Sequence, residues 1–423
     1  MSELYKEKTA ICTIASVNYT AYVKTLAQSV EKYHPEIDFF FLVVDRKTPE
    51  VVAAVDSMGL NAFYAENLEI PDFEMIAFKF DVVELNTALK PTMLKKIFSL
   101  GYNKLLYLDP DIRLFDKLSP VLQALDDHNI VFTPHSQQPI MDEYRPSDID
   151  FLRTGGFNLG FVGLKASDQS SKMLDWWEQR CLAYGFNEVS GGIFVDQKWM
   201  DLVPCYFSGV HILKHVGCNV AYWNLHERSV SGSRNNYSVD GKPLCFFHFS
   251  GIKANQPDIL SKHQTRHNLV AGTPLAELVS DYCNTLNEND HDTFSKIKYT
   301  FSSFDNGISI TKLARRTACF ALNKYSRPFC PKDPFYSFLQ SNGLLANEEK
   351  SSISMTTRDF DQSTVPVRFT NLLVRICAKL IGSGRLSALI RYMNILSRDD
   401  NLARVLCKEP LDFVQNQHRS RQL

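Results

Sequence analysis

Short apolar segments alternate with segments of helical periodicity through the N-terminal part of the chain. Residues 9–17 form an apolar, β-branched stretch followed by a helical pattern over 21–33, and residues 39–45 form a second apolar stretch closed by an acidic residue. Residues 104–108 have the same apolar character. Strands that alternate with helices are typical of a doubly wound, mostly parallel sheet of the Rossmann type. The pattern therefore predicts one α/β domain over residues 1–265.

The same pattern continues further along this domain. A helical stretch over 80–100 contains Pro91, which predicts a break there, and further strands are predicted at 157–164 and 244–249. A helix is predicted at 194–202, after a pair of glycines.

Beyond residue 265 the composition changes, and three further segments are predicted. Residues 266–347 mix helical patterns with Gly- and Pro-marked loops and form an extension placed on the acceptor side, and residues 348–365 are polar and Ser/Thr-rich, as in a linker. Residues 366–423 carry ten Lys and Arg against four Asp and Glu, with apolar residues at helical spacing. The sequence therefore predicts a mainly helical C-terminal region that ends in a basic amphipathic tail.

Charge and apolar content exclude several classes of protein. The chain has 46 Lys and Arg against 47 Asp and Glu, and this near-neutral balance lacks the positive field that nucleic-acid binding requires. The longest apolar run, residues 39–44, is far shorter than the roughly 20 residues that span a bilayer. No signal peptide is apparent, so we expect a cytoplasmic protein, with the tail as a means of peripheral contact with the inner face of the plasma membrane. The ten cysteines form no CxxC pair, which favours reduced thiols over disulfides or a zinc site.

Two carboxylates follow the apolar stretch at 104–108. Asp109 and Asp111 stand one residue apart at the carboxyl end of the predicted strand, where ligands bind in open α/β sheets. Two carboxylates this close together are stable away from water only when a cation neutralises them. Hard oxygen ligands favour Mg²⁺ or Mn²⁺ as that cation. Surface loops also contain Asp-x-Asp by chance, and this alternative stays open.

A second apolar strand delivers a histidine, a glycine and a lysine in close succession. In the segment 245–253, His248 could complete a metal shell, Gly251 would let backbone approach a phosphate, and Lys253 could neutralise that phosphate. A histidine in a Phe-rich strand is also compatible with a satisfied core residue.

With these motifs the sequence resembles nucleotide-sugar-dependent glycosyltransferases of the GT-A fold, nearest in pattern to retaining enzymes such as glycosyltransferase family 8. In that family a DxD motif and a later histidine bind Mn²⁺, and the histidine opens an HxxGxxK motif. Asp109 and Asp111 match the DxD motif, while His248, Gly251 and Lys253 match the later motif with one residue fewer before the lysine.

Two more motifs extend the resemblance, which covers about residues 8–255. The run FNLG at 157–160 is similar to the family's FNSG strand that faces the donor sugar, which makes Asn158 a candidate sugar contact. Asp196 and Gln197 resemble the family's Asp-Gln pair beneath the reacting sugar.

The resemblance also implies a nucleotide site at the edge of the first strands. Ala15, Ser16 and Tyr19 would contact the base or ribose, Asp45 would hydrogen-bond the uracil or ribose, and Lys90 is a further donor-site candidate. Ser16 and Tyr19 are equally compatible with ordinary turn residues.

Two segments besides these motifs indicate a class of acceptor. WNLHER at 223–228 and FDNGISI at 304–310 resemble bacterial polysaccharide and O-antigen glycosyltransferases, and Trp223 stands in a polar setting that suggests a site. The implied activity is transfer from a UDP-sugar to a glycan or lipid-linked glycan in surface polysaccharide or lipopolysaccharide synthesis.

The resemblance implies retention of configuration, in which no dedicated base is needed and Asp196 or Gln197 would stabilise the oxocarbenium-like centre. In an inverting enzyme Asp196 would be the base. Asp196 could instead be a helix N-terminal residue favoured by the helix dipole. A nucleotidyltransferase and a non-catalytic carbohydrate- or nucleotide-binding domain are the alternative functions.

Overall fold

The computed structural model describes residues 8–234, 236–321, 327–346 and 365–411. The chain divides into two compact units, the first made of Met1–Ile76 and Val82–Phe301 and the second of Ala77–Asp81 and Ser302–Leu423. The linker predicted at 348–365 lies outside the described residues up to residue 364.

The first unit contains all the strands found in the described residues. In chain order they are β1 Thr9–Ala15, β2 Asp38–Val43, β3 Asn61–Tyr64, β4 Lys104–Leu108, β5 Ile112–Leu114, β6 Ile130–Phe132, β7 Phe161–Lys165, β8 Asn187–Glu188, β9 Ile193–Phe194, β10 Val210–Ile212, β11 Val230–Ser233, β12 Asn236–Val239, β13 Lys242–Pro243 and β14 Phe246–His248.

A seven-stranded sheet forms the centre of this unit, in the order β10-β6-β7-β4-β1-β2-β3. Strands β3, β2, β1 and β4 pair in parallel, as do β6 and β10, whereas β7 is antiparallel to both of its neighbours. Strands β1 and β4 are buried along almost their whole length, as expected where both faces of a parallel sheet are covered. The predicted α/β class with a mostly parallel sheet is therefore confirmed.

Helices connect the strands of the first unit. They are α1 Thr20–Tyr33, α2 Pro49–Asp56, α3 Phe73–Lys79, which continues into the second unit, α4 Val82–Ala88, α5 Lys90–Phe98, α6 Ser119–Asp127, α7 Asp148–Thr154, α8 Asp168–Tyr184, α9 Val203–Tyr206, α10 Pro274–Glu288 and α11 His291–Phe294. Local sequence sets their ends: Thr48 caps α2 by accepting a hydrogen bond from the backbone N–H of Val51, and Pro49 occupies the first turn.

Three predicted elements differ from the structure in extent. The helix predicted over 80–100 is two helices, α4 and α5, and Pro91 lies in the first turn of α5, where its missing N–H costs nothing. Strand β7 begins at Phe161, so residues 157–160 form the turn before it and not a strand. The helix predicted at 194–202 is a 3₁₀ helix at Lys198–Leu202.

The first unit extends past residue 265, where the sequence places a boundary. Helix α10 is tied back to it by an ion pair of 2.9 Å between Asp281 and Arg113, just after the Asp-x-Asp motif. The side-chain N–H of Asn289 donates to the hydroxyl of Thr25 on α1 at 2.9 Å. The unit consequently ends at Phe301.

The second unit is helical. Its helices are α12 Lys312–Ala321, α13 Pro334–Ser341, α14 Val365–Ile381, α15 Ser383–Leu396 and α16 Asp399–Leu406. Its core includes the buried guanidinium of Arg315, which donates to the carbonyl oxygens of Phe78 at 3.0 Å and Phe80 at 2.8 Å. None of the helices in the described ranges has both the length and the apolar content to cross a bilayer.

Candidate metal and donor site

The small antiparallel pair of β5 and β14 brings the two acidic residues to the histidine. In this pair His248 lies opposite Ile112, the residue that follows Asp111 in the chain. The backbone N–H of Phe249 donates to the carbonyl oxygen of Asp111 at 2.8 Å. The Nε2 atom of His248 is 3.0 Å from a carboxylate oxygen of Asp111 and 3.8 Å from one of Asp109. One ligand atom from each of these three residues lies within 4.8 Å of the other two.

The chemistry of these three side chains fits a divalent cation. Two carboxylate oxygens and an imidazole nitrogen are a donor set that suits Mn²⁺, and the carboxylates remain 30% and 20% exposed, so that an ion can reach them. Burial lowers the pKa of His248, but Asp111 and Asp109 outweigh burial and hold the pKa above its ordinary value. The two carboxylates thus stabilise a positive charge at or beside the imidazole of His248.

Gly160 packs directly against His248. A Cβ atom built on Gly160 would lie 2.6 Å from Nδ1 of the imidazole and closer still to Cε1. The carbonyl oxygen of Gly160 accepts a hydrogen bond from the backbone N–H of Asp109 at 2.8 Å. The turn at 157–160 therefore forms one wall of the candidate metal site, and a residue with a side chain does not fit at its last position.

Asn158, the predicted sugar contact, is a buried residue that organises this turn. Its side-chain oxygen accepts from the backbone N–H of Gly160 at 3.1 Å and from the side-chain amide of Asn219 at 3.0 Å. Its side-chain nitrogen is 3.4 Å from Nε2 of His135. Asp109, Asp111 and His248 are called the metal triad below. Asn158 lies in the wall beside this triad, and its side chain already has hydrogen-bond partners within the chain.

A buried lysine connects the metal triad to the predicted Asp-Gln pair. The ammonium of Lys90 is 2.7 Å from a carboxylate oxygen of Asp196 and 3.9 Å from one of Asp109, and it donates to the carbonyl of Leu159 at 2.8 Å. Burial lowers the pKa of Lys90, but Asp196 and then Asp109 hold that pKa above its ordinary value. Lys90 is therefore a fixed positive charge beside the triad.

Gln197, the neighbour of Asp196, acts on the backbone of the same turn. Its side-chain oxygen accepts from the N–H of Leu159, and its side-chain nitrogen donates to the carbonyl of Thr154, both at 3.0 Å. Asp196 precedes the short 3₁₀ helix at Lys198–Leu202, and its carboxylate faces Lys90, so the ion pair accounts for its position better than a helix dipole does.

The predicted nucleotide residues lie at the end of β1. Ala15 and Ser16 are buried, and the hydroxyl of Ser16 donates to the side chain of Asn18 at 2.6 Å. Tyr19 is 42% exposed and stacks on Tyr22 with 4.7 Å between ring centroids. Burial, with Asp111 and Asp109 next in effect, raises the pKa of Tyr19 to about 12.

Asp45 is buried, and both of its carboxylate oxygens are engaged within the chain. One accepts from the backbone N–H of Val17 at 2.8 Å, and the other accepts from the backbone N–H and hydroxyl of Thr300, each at 2.8 Å. Burial raises the pKa of Asp45, while the hydrogen bonds from Thr300 and Val17 oppose the rise. In this structure Asp45 joins the β1 turn to the segment around residue 300.

Gly251 and Lys253 follow His248 but have different surroundings. Gly251 has a φ of +77° and lies against Ser261 and His263. Lys253 is exposed, and among the described residues no hydrogen bond or ion pair engages its ammonium. The structure thus makes His248 part of the triad, whereas no contact links Lys253 to it.

Two aromatic residues complete the site. The hydroxyl of Tyr107 donates to Asp109 at 2.6 Å, and the Lys90 ammonium lies 4.1 Å above its ring. Tyr107 is missing from the sequence prediction, although its place two residues before Asp109 on a strand puts it on the same side. The ring of Trp223 stands edge-on to His248 at 5.0 Å and to His135 at 5.5 Å, so Trp223 packs beside the candidate metal ligands.

Comparisons with known proteins give distant similarities. No family model matches the chain. Two uncharacterized proteins of Bacillus subtilis (strain 168) are similar: YfnF is 26% identical over 249 residues, 58% of this chain and 82% of YfnF, and YfnD is 25% identical over 244 residues, 57% of this chain and 76% of YfnD.

Solved structures similar to this one include named glycosyltransferases. The galactosyltransferase LgtC aligns with a TM-score of 0.39 and 18% identity, over 65% of this chain and 95% of LgtC. The glycosyltransferase GlyE of Streptococcus pneumoniae TIGR4 aligns with a TM-score of 0.38 and 13% identity, over 71% of this chain and 67% of GlyE. These are similarities of fold, and an activity has to be argued from the side chains of the site.

Proposed function

We propose that the chain is a metal-dependent glycosyltransferase that moves a sugar from a nucleotide-sugar donor, a UDP-sugar, to a glycan or lipid-linked glycan with retention of configuration. The observation that carries this proposal is the convergence of Asp109, Asp111 and His248 next to the buried pair of Lys90 and Asp196. Synthesis of a bacterial surface polysaccharide, such as the O-antigen of lipopolysaccharide, is the process that the sequence motifs favour.

Asp109, Asp111 and His248 would hold the cation. When bound, Mn²⁺ or Mg²⁺ supplies Lewis-acid neutralisation of the charge that develops on a leaving diphosphate. Lys90 adds a second positive charge that does not move, because Asp196 and the carbonyl of Leu159 fix its ammonium. Preorganised charge of this kind stabilises a transition state without further reorganisation.

The pairing of Asp196 supports retention over inversion. Its side chain is 2% exposed, and one carboxylate oxygen is 2.7 Å from the Lys90 ammonium. A base in this position would take up a proton and leave the buried ammonium without its counter-charge, which is costly. In a retaining reaction the departing phosphate oxygen takes the acceptor proton, so Asp196 can remain ionised and stabilise the positive sugar centre.

The nucleotide would lie against the end of β1. Tyr19 offers a half-exposed ring four residues after the end of β1, and Ala15 and Ser16 give the backbone against which a base or ribose could rest. Asp45 would act indirectly by holding the turn at Val17. Lys253 has an exposed ammonium five residues after His248, and it would neutralise phosphate if the donor reaches it.

The helical tail favours contact between the enzyme and an anionic membrane surface. Helix α14 leaves large apolar side chains exposed, with Arg375 and Lys379 among them; the exposed apolar residues are Phe369, Leu372, Leu373, Val374, Ile376, Leu380 and Ile381. An apolar face flanked by cations suits the boundary between headgroups and acyl chains. A lipid-linked acceptor would be presented at such a surface.

A matched pair of variants tests the membrane contact. L372D and N371D add the same charge at neighbouring exposed positions of α14, and only L372D removes an apolar side chain. We expect L372D to cosediment less with phosphatidylglycerol vesicles than N371D does. Equal binding by the two variants would show that the apolar face is not used.

A donor screen tests the proposed activity. Thermal unfolding would be followed with UDP-, GDP- and TDP-sugars, each with and without Mn²⁺, because a ligand at about 100 times its Kd stabilises the folded state by about 2.7 kcal/mol. We expect stabilisation by a UDP-sugar that requires Mn²⁺ and is lost in D111A. D127A serves as the control, since Asp127 is an exposed carboxylate on α6. The proposal fails if no nucleotide sugar stabilises the unmutated protein.

A further inference from the structure

Three soft metal ligands meet at the other end of the strand that carries His248. Cys245 directly precedes β14, and its sulfur lies with that of Cys218 and a ring nitrogen of His215 in a group whose ligand atoms are all within 4.8 Å of one another. Both cysteines are buried, whereas His215 is partly exposed. Cys245 is three residues from His248, which is about 10 Å along an extended strand, so the two clusters are separate.

The backbone fixes the positions of these ligands. The carbonyl of Gly217 accepts from the backbone N–H of Cys245 at 2.8 Å and of Phe246 at 3.2 Å. A Cβ atom at Gly217 would overlap the carbonyl oxygen of Pro243, so the close approach of the two segments depends on glycine here. Val220 pairs with Phe247 in parallel, which places Cys218 and Cys245 opposite each other two residues earlier, on one face.

The distance between two of the ligand atoms matches a tetrahedral zinc site, and the other two distances are below 4.8 Å. Zn–S bonds of about 2.3 Å and Zn–N bonds of about 2.0 Å at tetrahedral angles put ligand atoms roughly 3.5–3.8 Å apart. Nδ1 of His215 lies 3.6 Å from the sulfur of Cys218. The same nitrogen accepts a hydrogen bond from the backbone N–H of Gly217 at 3.2 Å, so it carries no proton, and on binding a metal ion its lone pair would turn from that N–H to the ion.

We propose that His215, Cys218 and Cys245 bind Zn²⁺, with water as the fourth ligand. Two thiolates and one imidazole suit zinc, whereas the oxygen-rich set of Asp109, Asp111 and His248 suits a harder ion.

Zinc in this position would fix the start of β14. The ion would join the His215–Cys218 segment to Cys245 and so hold the strand that presents His248 to the donor site. Its role would be structural, and it would add stability because a metal that binds the folded state shifts the unfolding equilibrium. The sequence gives little indication of this zinc site. His215 and Cys218 form an HxxC spacing, but the third ligand, Cys245, is 27 residues after Cys218 (245 minus 218).

Cobalt substitution of the full chain tests the proposal. Co²⁺ bound by thiolates gives an intense charge-transfer absorption that carboxylate and imidazole ligands do not give. D111A, which disables the other cation site, is stripped with a chelator and titrated with Co²⁺ and then with Zn²⁺. We expect one equivalent of Co²⁺ with thiolate absorption, displacement of Co²⁺ by Zn²⁺, and a higher midpoint of thermal unfolding in the zinc-loaded protein.

Variants of the ligands identify the site. C218S/C245S in the D111A background should lose the absorption and the bound zinc, and H215A should weaken zinc binding. C283S removes another buried thiol of the same unit and should retain both properties. Absence of thiolate absorption from D111A itself would overturn the proposal even if a variant failed to fold. A Cys218–Cys245 disulfide that persists in reductant and excludes metal would do the same.

Discussion

Replacing Gly160 with alanine would push His248 out of the position it has beside the acidic pair. The added Cβ would lie 2.6 Å from Nδ1 of His248 and 2.9 Å from the side-chain oxygen of Asn158. Carbon atoms in contact prefer about 3.5–4.0 Å, so the imidazole must move by roughly an ångström. The indole of Trp223 already packs edge-on against this ring at 5.0 Å, which limits where it can go.

The cost of this change has two parts. Overpacking a buried position costs typically about 1–3 kcal/mol of folding free energy. Movement of the ring also disturbs the 3.0 Å approach of Nε2 to Asp111, and loss of ligand orientation of this kind weakens metal binding by about 10- to 100-fold. G160A should therefore lose Mn²⁺ affinity by a larger factor than its loss of stability alone would suggest.

Two measurements check this prediction, with G156A as the matched control in the same turn. A Cβ at Gly156 meets nothing nearer than 3.7 Å, so that variant should resemble the parent. Urea unfolding gives the change in stability, and the free Mn²⁺ signal in electron paramagnetic resonance gives the affinity. Parent-like Mn²⁺ affinity in a folded G160A protein would refute the inference that packing at Gly160 places His248.

Two further outcomes follow from buried charge. K90M should destabilise the protein by about 3–5 kcal/mol in urea unfolding, because it leaves the buried carboxylate of Asp196 without a counter-charge. K90M/D196N should recover much of that stability without recovering activity. Equal stability of the two variants would contradict the ion-pair argument. Burial lowers the pKa of His135 to about 4. As pH falls, the histidine therefore takes up its proton at a higher pH in the unfolded chain than in the folded chain. The free energy of unfolding should consequently drop by about 3 kcal/mol between about pH 6.5 and pH 4. H135F should lose less stability than the parent over this interval, and an identical loss would assign the effect to other groups.

Much of the fold could be predicted because the strands are buried on both faces. Strands such as β1 and β4 appear as continuous apolar runs, and a run of that kind at β4 locates the carboxylates that follow it. Chain order also indicates that His248 ends a strand. The three-residue pairing of β5 with β14, which brings His248 to Asp111, is too short to leave a pattern in the sequence.

The environment of Asp45 illustrates what could not be predicted. Its place after β2 correctly indicates a residue near the β1 turn, but the sequence does not show that Thr300, 255 positions later, returns to occupy one carboxylate oxygen. The same is true of Gln197, because tertiary packing sets its two backbone partners, Leu159 in the turn and Thr154 at the end of α7. Residue type and position predict the region of the site, and the final hydrogen-bond partners depend on long-range contacts.

The charges at the centre of the site explain why donor binding should require a cation. Asp109, Asp111 and Asp196 contribute three negative charges and Lys90 one positive charge, which leaves −2 if His248 is neutral. A diphosphate approaching this group would be repelled, because like charges disfavour each other most strongly where solvent is partly excluded. A divalent cation brings the sum to zero, and the Lys90 ammonium then remains as a directed positive charge. A UDP-sugar should consequently bind after the metal and not before it.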